Sequence, residues 1–162
     1  MIPACLIVGD SIGVGMAGAL AMQGIHCEVR AQVGATSKRV LDLQPVIAAT
    51  GHAVIAAGSN DPANPALEQN LRRLRTRLAA QRVTWIAPYD ARASRIVVSL
   101  ALTFGDTVVP LSLYATRDCV HPASYGPLSR SLAWPAPVPS AHVTPFNPAP
   151  PKPVRRAVVM AF

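Results

Sequence analysis

The chain has 162 residues, of which 51% are hydrophobic and 14% charged, and its 15 Lys and Arg against 8 Asp and Glu give a net charge of +7. This length and composition indicate a globular domain rather than a disordered chain. The positive charge favours anionic partners such as an acidic polysaccharide, nucleic acid or a membrane surface. Aromatic residues make up only 5% and no aromatic-basic motif is present, so we expect no nucleic-acid partner.

The N-terminus carries no Lys or Arg before its first apolar run, so no signal peptide is expected. No apolar stretch is long enough to cross a bilayer, so no transmembrane segment is expected. The missing signal peptide favours a cytoplasmic location, with release or incorporation into a larger assembly by another route as the alternative. The three cysteines, Cys5, Cys27 and Cys119, lack metal-like spacing. Because Cys5 and Cys27 fall in predicted strands, we expect buried free thiols and no need for an oxidising compartment. Neither a metal nor a cofactor is expected.

The first stretch of the chain, residues 4–13, is an apolar run that ends in Gly9-Asp10-Ser11. A segment of small residues from Val14 to Met22 follows, which predicts a buried strand, a tight turn and a helix. Ser11 would then lie at a helix N-terminus, where free backbone N–H groups favour negative charge. For this stretch alone, simple helix capping by Asp10 or Ser11 is the slightly favoured interpretation.

Strands and helices alternate along the rest of the chain, which predicts a parallel sheet covered on both faces. Further strands are predicted over 26–33, 52–57, 83–87 and 106–111. Helices are predicted after the turn at 34–37 through about Leu43, over 91–104 and over 122–132. Another helix is expected to begin at Asn64-Pro65, with Asn64 as the N-cap and Pro65 as the first helical residue. Its buried stripe would consist of Leu67, Leu71, Leu74 and Leu78.

Residues 1–132 form the predicted domain, and residues 133–162 form a proline-rich C-terminal extension. Prolines recur from Trp134 to Pro153, so this segment should run extended. Val154 to Phe162 is basic and then apolar, and needs a partner surface. That surface could be a groove on its own domain, a sheet edge or another chain. We slightly favour another chain, either a second copy in a homo-oligomer or a larger assembly.

Four loops should meet at the carboxyl edge of the sheet. Ser11 is the candidate nucleophile, and His121 is the right kind of base for it. Asp118, three residues before His121, can orient the imidazole. The N–H groups of Ser11 and Gly34 and the side-chain amide of Asn60 can donate to an oxyanion. Glycine at position 34 would let the backbone approach the substrate closely.

These motifs resemble those of the SGNH (GDSL) hydrolase superfamily, and the resemblance spans Ala4 to about Leu132. It rests on Gly9-Asp10-Ser11, on Gly34, on Gly58-Ser59-Asn60-Asp61 and on Asp118-Cys119-Val120-His121-Pro122. The resemblance implies a flavodoxin-like three-layer sandwich with a five-stranded parallel sheet in the order 2-1-3-4-5. It also implies ester hydrolysis through an acyl-serine. Cys119 departs from the pattern, since the family often has glycine there.

Two acidic residues, Asp10 and Asp61, are expected to support this site. Asp10 belongs to the first motif and can cap the first helix. Asp61 should stabilise its own turn through a local side-chain bond, with positioning of the Asn60 amide as the alternative. Tyr89-Asp90 follows the fourth strand, where a turn role is favoured over lining the pocket.

Other interpretations of the motifs are weaker. Gly9-Asp10-Ser11-Ile12-Gly13 fits the nucleophile elbow of α/β-hydrolases, but only one strand precedes it. Gly13-Val14-Gly15-Met16-Ala17-Gly18 fits a dinucleotide fingerprint, but its first glycine comes well past the strand end. Close helix packing explains these glycines better.

The short loops favour a small acyl group on a large alcohol. The expected substrate is therefore an O-acetyl ester of a polysaccharide or glycan. Cleavage of lysophospholipids or thioesters is the runner-up. A non-catalytic structural or binding module, tethered to a larger assembly by the C-terminal extension, is the remaining alternative.

Overall fold

The sheet of the computed structural model, which describes residues 4–132 and 134, has five parallel strands in the predicted order 2-1-3-4-5. The strands are β1 (Cys5–Gly9), β2 (Glu28–Ala31), β3 (Ala48–Ala56), β4 (Leu78–Ala87) and β5 (Thr107–Pro110). β1 is buried along its whole length, as expected for a central strand covered on both faces. The carboxyl ends of all five strands point to one edge of the sheet.

The part of the chain that the structure describes has five α-helices, of which the first four connect consecutive strands; a short 3₁₀ turn and the fifth helix follow β5. The helices are α1 (Ser11–Ala21), α2 (Ser37–Leu43), α3 (Leu67–Thr76), α4 (Ala91–Phe104) and α5 (Tyr125–Ser131), and the 3₁₀ turn covers Leu111–Leu113. One face of the sheet packs against α2, α3 and α4, and the other packs against α1 and α5. The three-layer α/β architecture is thus confirmed.

Several element boundaries differ from the prediction. β4 begins at Leu78, which the leucine stripe had assigned to the preceding helix, because Leu78 pairs with Ala48 and extends both β3 and β4. α3 begins at Leu67 and not at Pro65. The Asn64 side chain still accepts a hydrogen bond from a backbone N–H, that of Ala66 at 2.9 Å, but it does so in the turn before the helix.

The prediction of free thiols at Cys5 and Cys27 is wrong, because these two residues form a disulfide. The register of the first two strands explains it. Leu6 pairs with Glu28 across β1 and β2, so the preceding residues, Cys5 and Cys27, lie opposite one another at the start of the two strands. Their Cα atoms are 4.8 Å apart, within the range of disulfides. Disulfides persist in oxidising compartments. The expectation of a cytoplasmic location was made without this disulfide.

The glycines of α1 are explained in part by close packing. A Cβ on Gly15 would lie 2.2–2.6 Å from ring atoms of Tyr125, and one on Gly13 would lie 3.2 Å from the Cβ of Ala31. These two glycines let α5 and β2 approach the helix. At Gly18 no described atom lies within 4 Å of such a Cβ, so packing against the described residues does not explain this glycine.

The C-terminal extension lies outside the described residues, apart from Trp134. The Trp134 ring lies 4.6 Å from that of His52, measured between centroids, and so contacts the body of the domain at the strand β3. The predictions for Trp134 to Pro153 and for Val154 to Phe162 are therefore not tested beyond this contact. Among the described helices, none has the length and apolar character that a membrane crossing requires.

Candidate active site

Ser11 is the first residue of α1, directly after the buried strand β1. Asp10 is the N-cap of this helix, and its Oδ1 accepts a hydrogen bond of 2.9 Å from the Ile12 backbone N–H. The Asp10 N–H in turn donates to the Ala56 carbonyl at 2.8 Å. Capping by Asp10 is thus observed, and it fixes the helix start so that the Ser11 side chain is free to take another partner.

That partner is His121. The Nε2 atom of His121 lies 2.9 Å from Ser11 Oγ, and its Nδ1 atom lies 2.7 Å from Asp118 Oδ2. The structure therefore brings together three of the predicted residues in one hydrogen-bonded series. A serine, an imidazole and a carboxylate in this order are the groups that serine hydrolases use to generate a nucleophile.

Asp118 is kept ionised by its own loop. Its Oδ1 accepts hydrogen bonds from the backbone N–H groups of His121, at 2.7 Å, and Val120, at 2.9 Å. The backbone N–H of His121, its side chain and the N–H of Val120 hold the pKa of Asp118 well below its usual range. A carboxylate that stays charged can orient the imidazole and stabilise the imidazolium formed during proton transfer.

Thr116 is a residue of this loop that sequence reasoning missed. Its hydroxyl donates to the His121 carbonyl at 2.7 Å and accepts from the Cys119 N–H at 2.9 Å. Cys119 has a φ of 62°, in the left-handed region that glycine adopts more readily. A threonine shortly before Asp118 is a recognisable turn-forming signal, and here it closes the loop around the histidine.

Gly34 and Asn60 lie in the loops after β2 and β3. The Asn60 Nδ2 atom donates one hydrogen bond of 3.0 Å to the Ala35 carbonyl, which leaves its second N–H for another acceptor. Gly34 has a φ of 74°, and no described atom lies within 4 Å of a Cβ built there. The backbone conformation at position 34 therefore favours glycine, whether or not a substrate also approaches this backbone closely.

Asp61 joins these two loops, and it does so through Ser37 and not through Asn60. Asp61 Oδ1 accepts from the Ser37 N–H at 2.9 Å and Oδ2 from the Ser37 hydroxyl at 2.6 Å. Asn64 also donates to Asp61, at 2.8 Å, which is the expected local bond. The buried Asn70 donates to the Ser37 hydroxyl at 3.0 Å. Ser37 is a second residue that the sequence did not single out, although it begins a helix directly after the Gly34 turn.

Asp10 is fully buried, and its environment is unusual for a carboxylate. Burial raises the pKa of Asp10 to about 6, and the hydrogen bond from Ile12 opposes this rise. Ser59 lies against the carboxyl group and also opposes it, but Oδ2 makes no hydrogen bond of normal geometry within the described part of the chain. Electrostatic interaction with His121 makes a smaller contribution that also lowers the pKa of Asp10.

Tyr89 and Asp90 have separate roles. Asp90 is the N-cap of α4 and accepts hydrogen bonds from the backbone N–H groups of Arg92 and Ala93, as the turn interpretation predicted. Tyr89 lines a pocket beside the Asp118–His121 loop, which the sequence had given as the less favoured role. No group of His, Cys, Asp and Glu within residues 4–132 could hold a metal ion.

The fold is that of the SGNH hydrolases, a class of hydrolytic and acyl-transfer enzymes. The C-terminal catalytic domain of peptidoglycan O-acetyltransferase A from Streptococcus pneumoniae, solved with a methylsulfonyl adduct, matches at a TM-score of 0.53 and 16% identity. The match covers 80% of this chain and 88% of that domain. A protein from Slackia heliotrinireducens assigned to the SGNH hydrolases matches at a TM-score of 0.55 and 16% identity, over 80% of this chain and 94% of that one.

Similarity at this level shows a shared fold and says nothing of the substrate. No protein-family model matches the sequence, and no curated protein matches it either. The assignment of individual roles to Ser11, His121, Asp118, Gly34 and Asn60 therefore depends on their geometry in this chain.

Proposed function

We propose that the protein is a serine esterase that works through an acyl-serine intermediate, and that its substrates are O-acetyl esters of a glycan. The hydrogen-bonded series from Ser11 through His121 to Asp118 is the observation that supports this most. The fold is one that hydrolytic and acyl-transfer enzymes use.

In the proposed first step, His121 Nε2 takes the proton of Ser11 Oγ as the oxygen attacks the ester carbonyl carbon. The Asp118 carboxylate stabilises the resulting imidazolium from the Nδ1 side. The carbon–oxygen bond to the alcohol then breaks, and the imidazolium donates its proton to the departing alkoxide. Water repeats the sequence on the acyl-serine, releases the acid and restores Ser11.

The negative charge on the carbonyl oxygen needs fixed donors. We assign this role to the backbone N–H groups of Ser11 and Gly34 and to the free amide N–H of Asn60. The hydrogen bond that Asn60 donates to the Ala35 carbonyl orients the amide. The two hydrogen bonds that Asp61 accepts from Ser37 tie the Asn60 loop to the segment that follows Gly34. Such preorganisation lowers the cost of stabilising charge in the transition state.

Two features favour an acetylated glycan. Within the described residues, the loops after β1, β2 and β3 contain no helix or strand that could cover a long acyl chain, and the net charge of +7 suits an anionic polymer. The name of one structural neighbour, peptidoglycan O-acetyltransferase, favours a second outcome for the same intermediate. A sugar hydroxyl could replace water and accept the acetyl group, which would make the protein a transferase.

The test begins with p-nitrophenyl esters of increasing acyl length. The wild-type protein should hydrolyse the acetate fastest, and Ser11→Ala should abolish the activity. A rate that rises towards octanoate would favour lipolytic or thioester substrates. Methanesulfonyl fluoride, followed by mass spectrometry, gives a second readout, because the adduct should form on Ser11. Absence of both hydrolysis and adduct would leave the non-catalytic module.

Addition of chitooligosaccharides to the acetate reaction separates the two enzymatic outcomes. A hydrolase should release free acetate with or without the acceptor. A transferase should instead produce acetylated oligosaccharide, detected by mass spectrometry, and should turn over p-nitrophenyl acetate faster when the acceptor is present.

A further inference from the structure

A pocket of about 310 Å³ lies beside the hydrogen-bonded series, at the carboxyl edge of β3 and β4. Two of its walls come from the loops after these strands, and the third comes from the loop that carries the candidate base. The lining residues are Ser59 and Pro62, then Pro88, Tyr89 and Asp90, and finally Cys119 and Val120. Its volume is at the lower end of small-molecule sites, which measure roughly 300–1,000 Å³.

The pocket adjoins the reacting groups on two sides. Val120 directly precedes His121, and Ser59 directly precedes Asn60. Ser59 also lies against the carboxyl group of Asp10, the residue next to Ser11. A group bound here would therefore belong to the same substrate whose carbonyl carbon is attacked by Ser11.

The walls of the pocket are held in place by hydrogen bonds that do not involve a substrate. The Tyr89 hydroxyl lies 3.1 Å from the Tyr114 carbonyl and 3.3 Å from the Ala115 carbonyl, which fixes the plane of the ring. The opposite wall is fixed by the Thr116 hydroxyl, which accepts from the Cys119 N–H. A rigid site of this kind binds a rigid ligand without a further ordering cost.

The lining combines a tyrosine ring, two prolines and Val120 with the Ser59 hydroxyl, the Cys119 thiol and the carboxylate of Asp90, whose Oδ1 also caps α4. An acetyl group would leave most of the volume empty, and a long acyl chain would meet Ser59 and Asp90. A sugar ring matches both parts, because it has an apolar C–H face that can pack on an aromatic ring and hydroxyls around its edge. We propose that this pocket holds the sugar ring that carries the ester, with Tyr89 as its platform; the proposal rests on the esterase function proposed above.

The first test compares esters that differ in only one part. An O-acetylated N-acetylglucosamine and ethyl acetate share the acyl group, whereas ethyl acetate and ethyl hexanoate share the alcohol. Tyr89→Ala should lower kcat/KM for the acetylated sugar about tenfold relative to ethyl acetate, because it removes the aromatic contact. Tyr89→Phe is the matched control: it loses the hydroxyl anchor, keeps the ring and should retain the preference for the sugar ester.

Three outcomes separate the possible failures. If Tyr89→Ala lowers the rate on ethyl hexanoate relative to ethyl acetate and spares the sugar ester, the pocket holds the acyl group and the proposal is wrong. If Tyr89→Ala and Tyr89→Phe both lower kcat/KM equally on all three esters, Tyr89 only supports the loop, and the proposal is again overturned. If the wild-type protein hydrolyses none of the esters, the proposed esterase function itself fails.

The second test uses the thiol in the wall of the pocket and does not depend on turnover. The sequence has three cysteines; Cys5 and Cys27 are bonded to one another, and Cys119 is free and exposed. Labelling of Cys119 by N-ethylmaleimide should slow when N-acetylglucosamine is added, in the wild type and equally in Ser11→Ala. A labelling rate that is unchanged by the sugar but slowed by hexanoate would overturn the assignment.

Discussion

The carboxylate of Asp61 accepts hydrogen bonds from both the backbone N–H and the hydroxyl of Ser37, at 2.9 and 2.6 Å. Asp61 follows directly after Asn60, and Ser37 begins α2 shortly after Gly34. The two loops that carry candidate oxyanion donors are thus joined by a pair of hydrogen bonds to one carboxylate. Hydrogen bonds to charged groups contribute more than neutral ones, so this pair should affect both stability and the placement of the donors.

Replacement of Asp61 by Ala should therefore lower the free energy of unfolding by about 1–3 kcal/mol, because it leaves the buried Ser37 without its acceptors. The rate on p-nitrophenyl acetate should fall as well, through kcat more than through KM. Urea unfolding and steady-state kinetics measure the two effects. Asp42→Ala is the control. Asp42 pairs with Lys38 on the exposed face of α2, the helix that Ser37 begins. Its replacement should change neither the free energy of unfolding nor kcat appreciably. Equal effects of the two substitutions would contradict this role for Asp61.

Asn60 provides a separate test of the oxyanion donors. Asn60→Ala should lower kcat by roughly 10²–10³-fold, as removal of a single donor does in other acyl-transfer enzymes. Asn60→Asp should be at least as damaging, since it keeps the size but places a negative charge where one develops. Single-turnover measurements of acyl-enzyme formation would isolate the step concerned. Near-normal acylation by Asn60→Ala would exclude it from the oxyanion site.

The buried carboxyl group of Asp10 predicts a pH-dependent stability. Its pKa is raised from 3.8 to about 6 in the folded protein, so folding favours the protonated form. The resulting stabilisation is complete below pH 3.8 and is lost as the pH rises through 6, and the difference corresponds to about 3 kcal/mol. Asp10→Asn cannot ionise and should lack this dependence. Its Tm relative to the wild type should therefore be higher at about pH 8 than at about pH 4. A Tm difference that is the same at both pH values would contradict the assignment.

The sequence predicted those parts of the fold that depend on local patterns. The alternation of apolar strands and helices predicted the layers, and α4 occurs at the predicted residues, where Asp90 caps its start and Gly105, with a φ of 69°, ends it. Ser11, His121 and Asp118 were predicted together because each follows a strand at the same edge of the sheet. Because the strand ends can be read from the sequence, these residues could be assigned to one edge of the sheet without knowledge of tertiary contacts.

The features that were missed depend on how distant segments align. The disulfide between Cys5 and Cys27 follows from the register of β1 against β2, which the sequence does not display. Leu78 fits the leucine spacing of a helix, yet pairing with Ala48 places it in a strand. Ser37 and Thr116 are ordinary polar residues, and only their hydrogen bonds to Asp61 and His121 reveal what they support.

The disulfide predicts sensitivity to reduction. The bond closes a loop with a sequence separation of 22, for which loop-closure entropy gives about 3 kcal/mol of stabilisation. Dithiothreitol should therefore lower the Tm of the wild type, and the double variant Cys5→Ala/Cys27→Ala should show the lower Tm without further change on reduction. Peptide mapping under non-reducing conditions checks the bond directly. A free-thiol count of three on the unfolded, non-reduced protein would refute it.

The last prediction concerns the left-handed backbone at Cys119. Its φ of 62° forces a Cβ into a region that costs an L-residue roughly 1–2 kcal/mol, whereas glycine adopts it freely. Part of the gain from glycine is offset by the greater freedom of the unfolded chain, so Cys119→Gly should raise the free energy of unfolding by about 1 kcal/mol. Cys119→Ala is the matched control, because it removes the thiol but keeps the Cβ, and it should give no such gain. Urea unfolding under non-reducing conditions, with the Cys5–Cys27 bond intact, measures both variants. Equal stability of the glycine and alanine variants would show that the loop relieves the strain elsewhere, and that the hydrogen bonds of Thr116 and Asp118 do not hold this residue in the left-handed conformation.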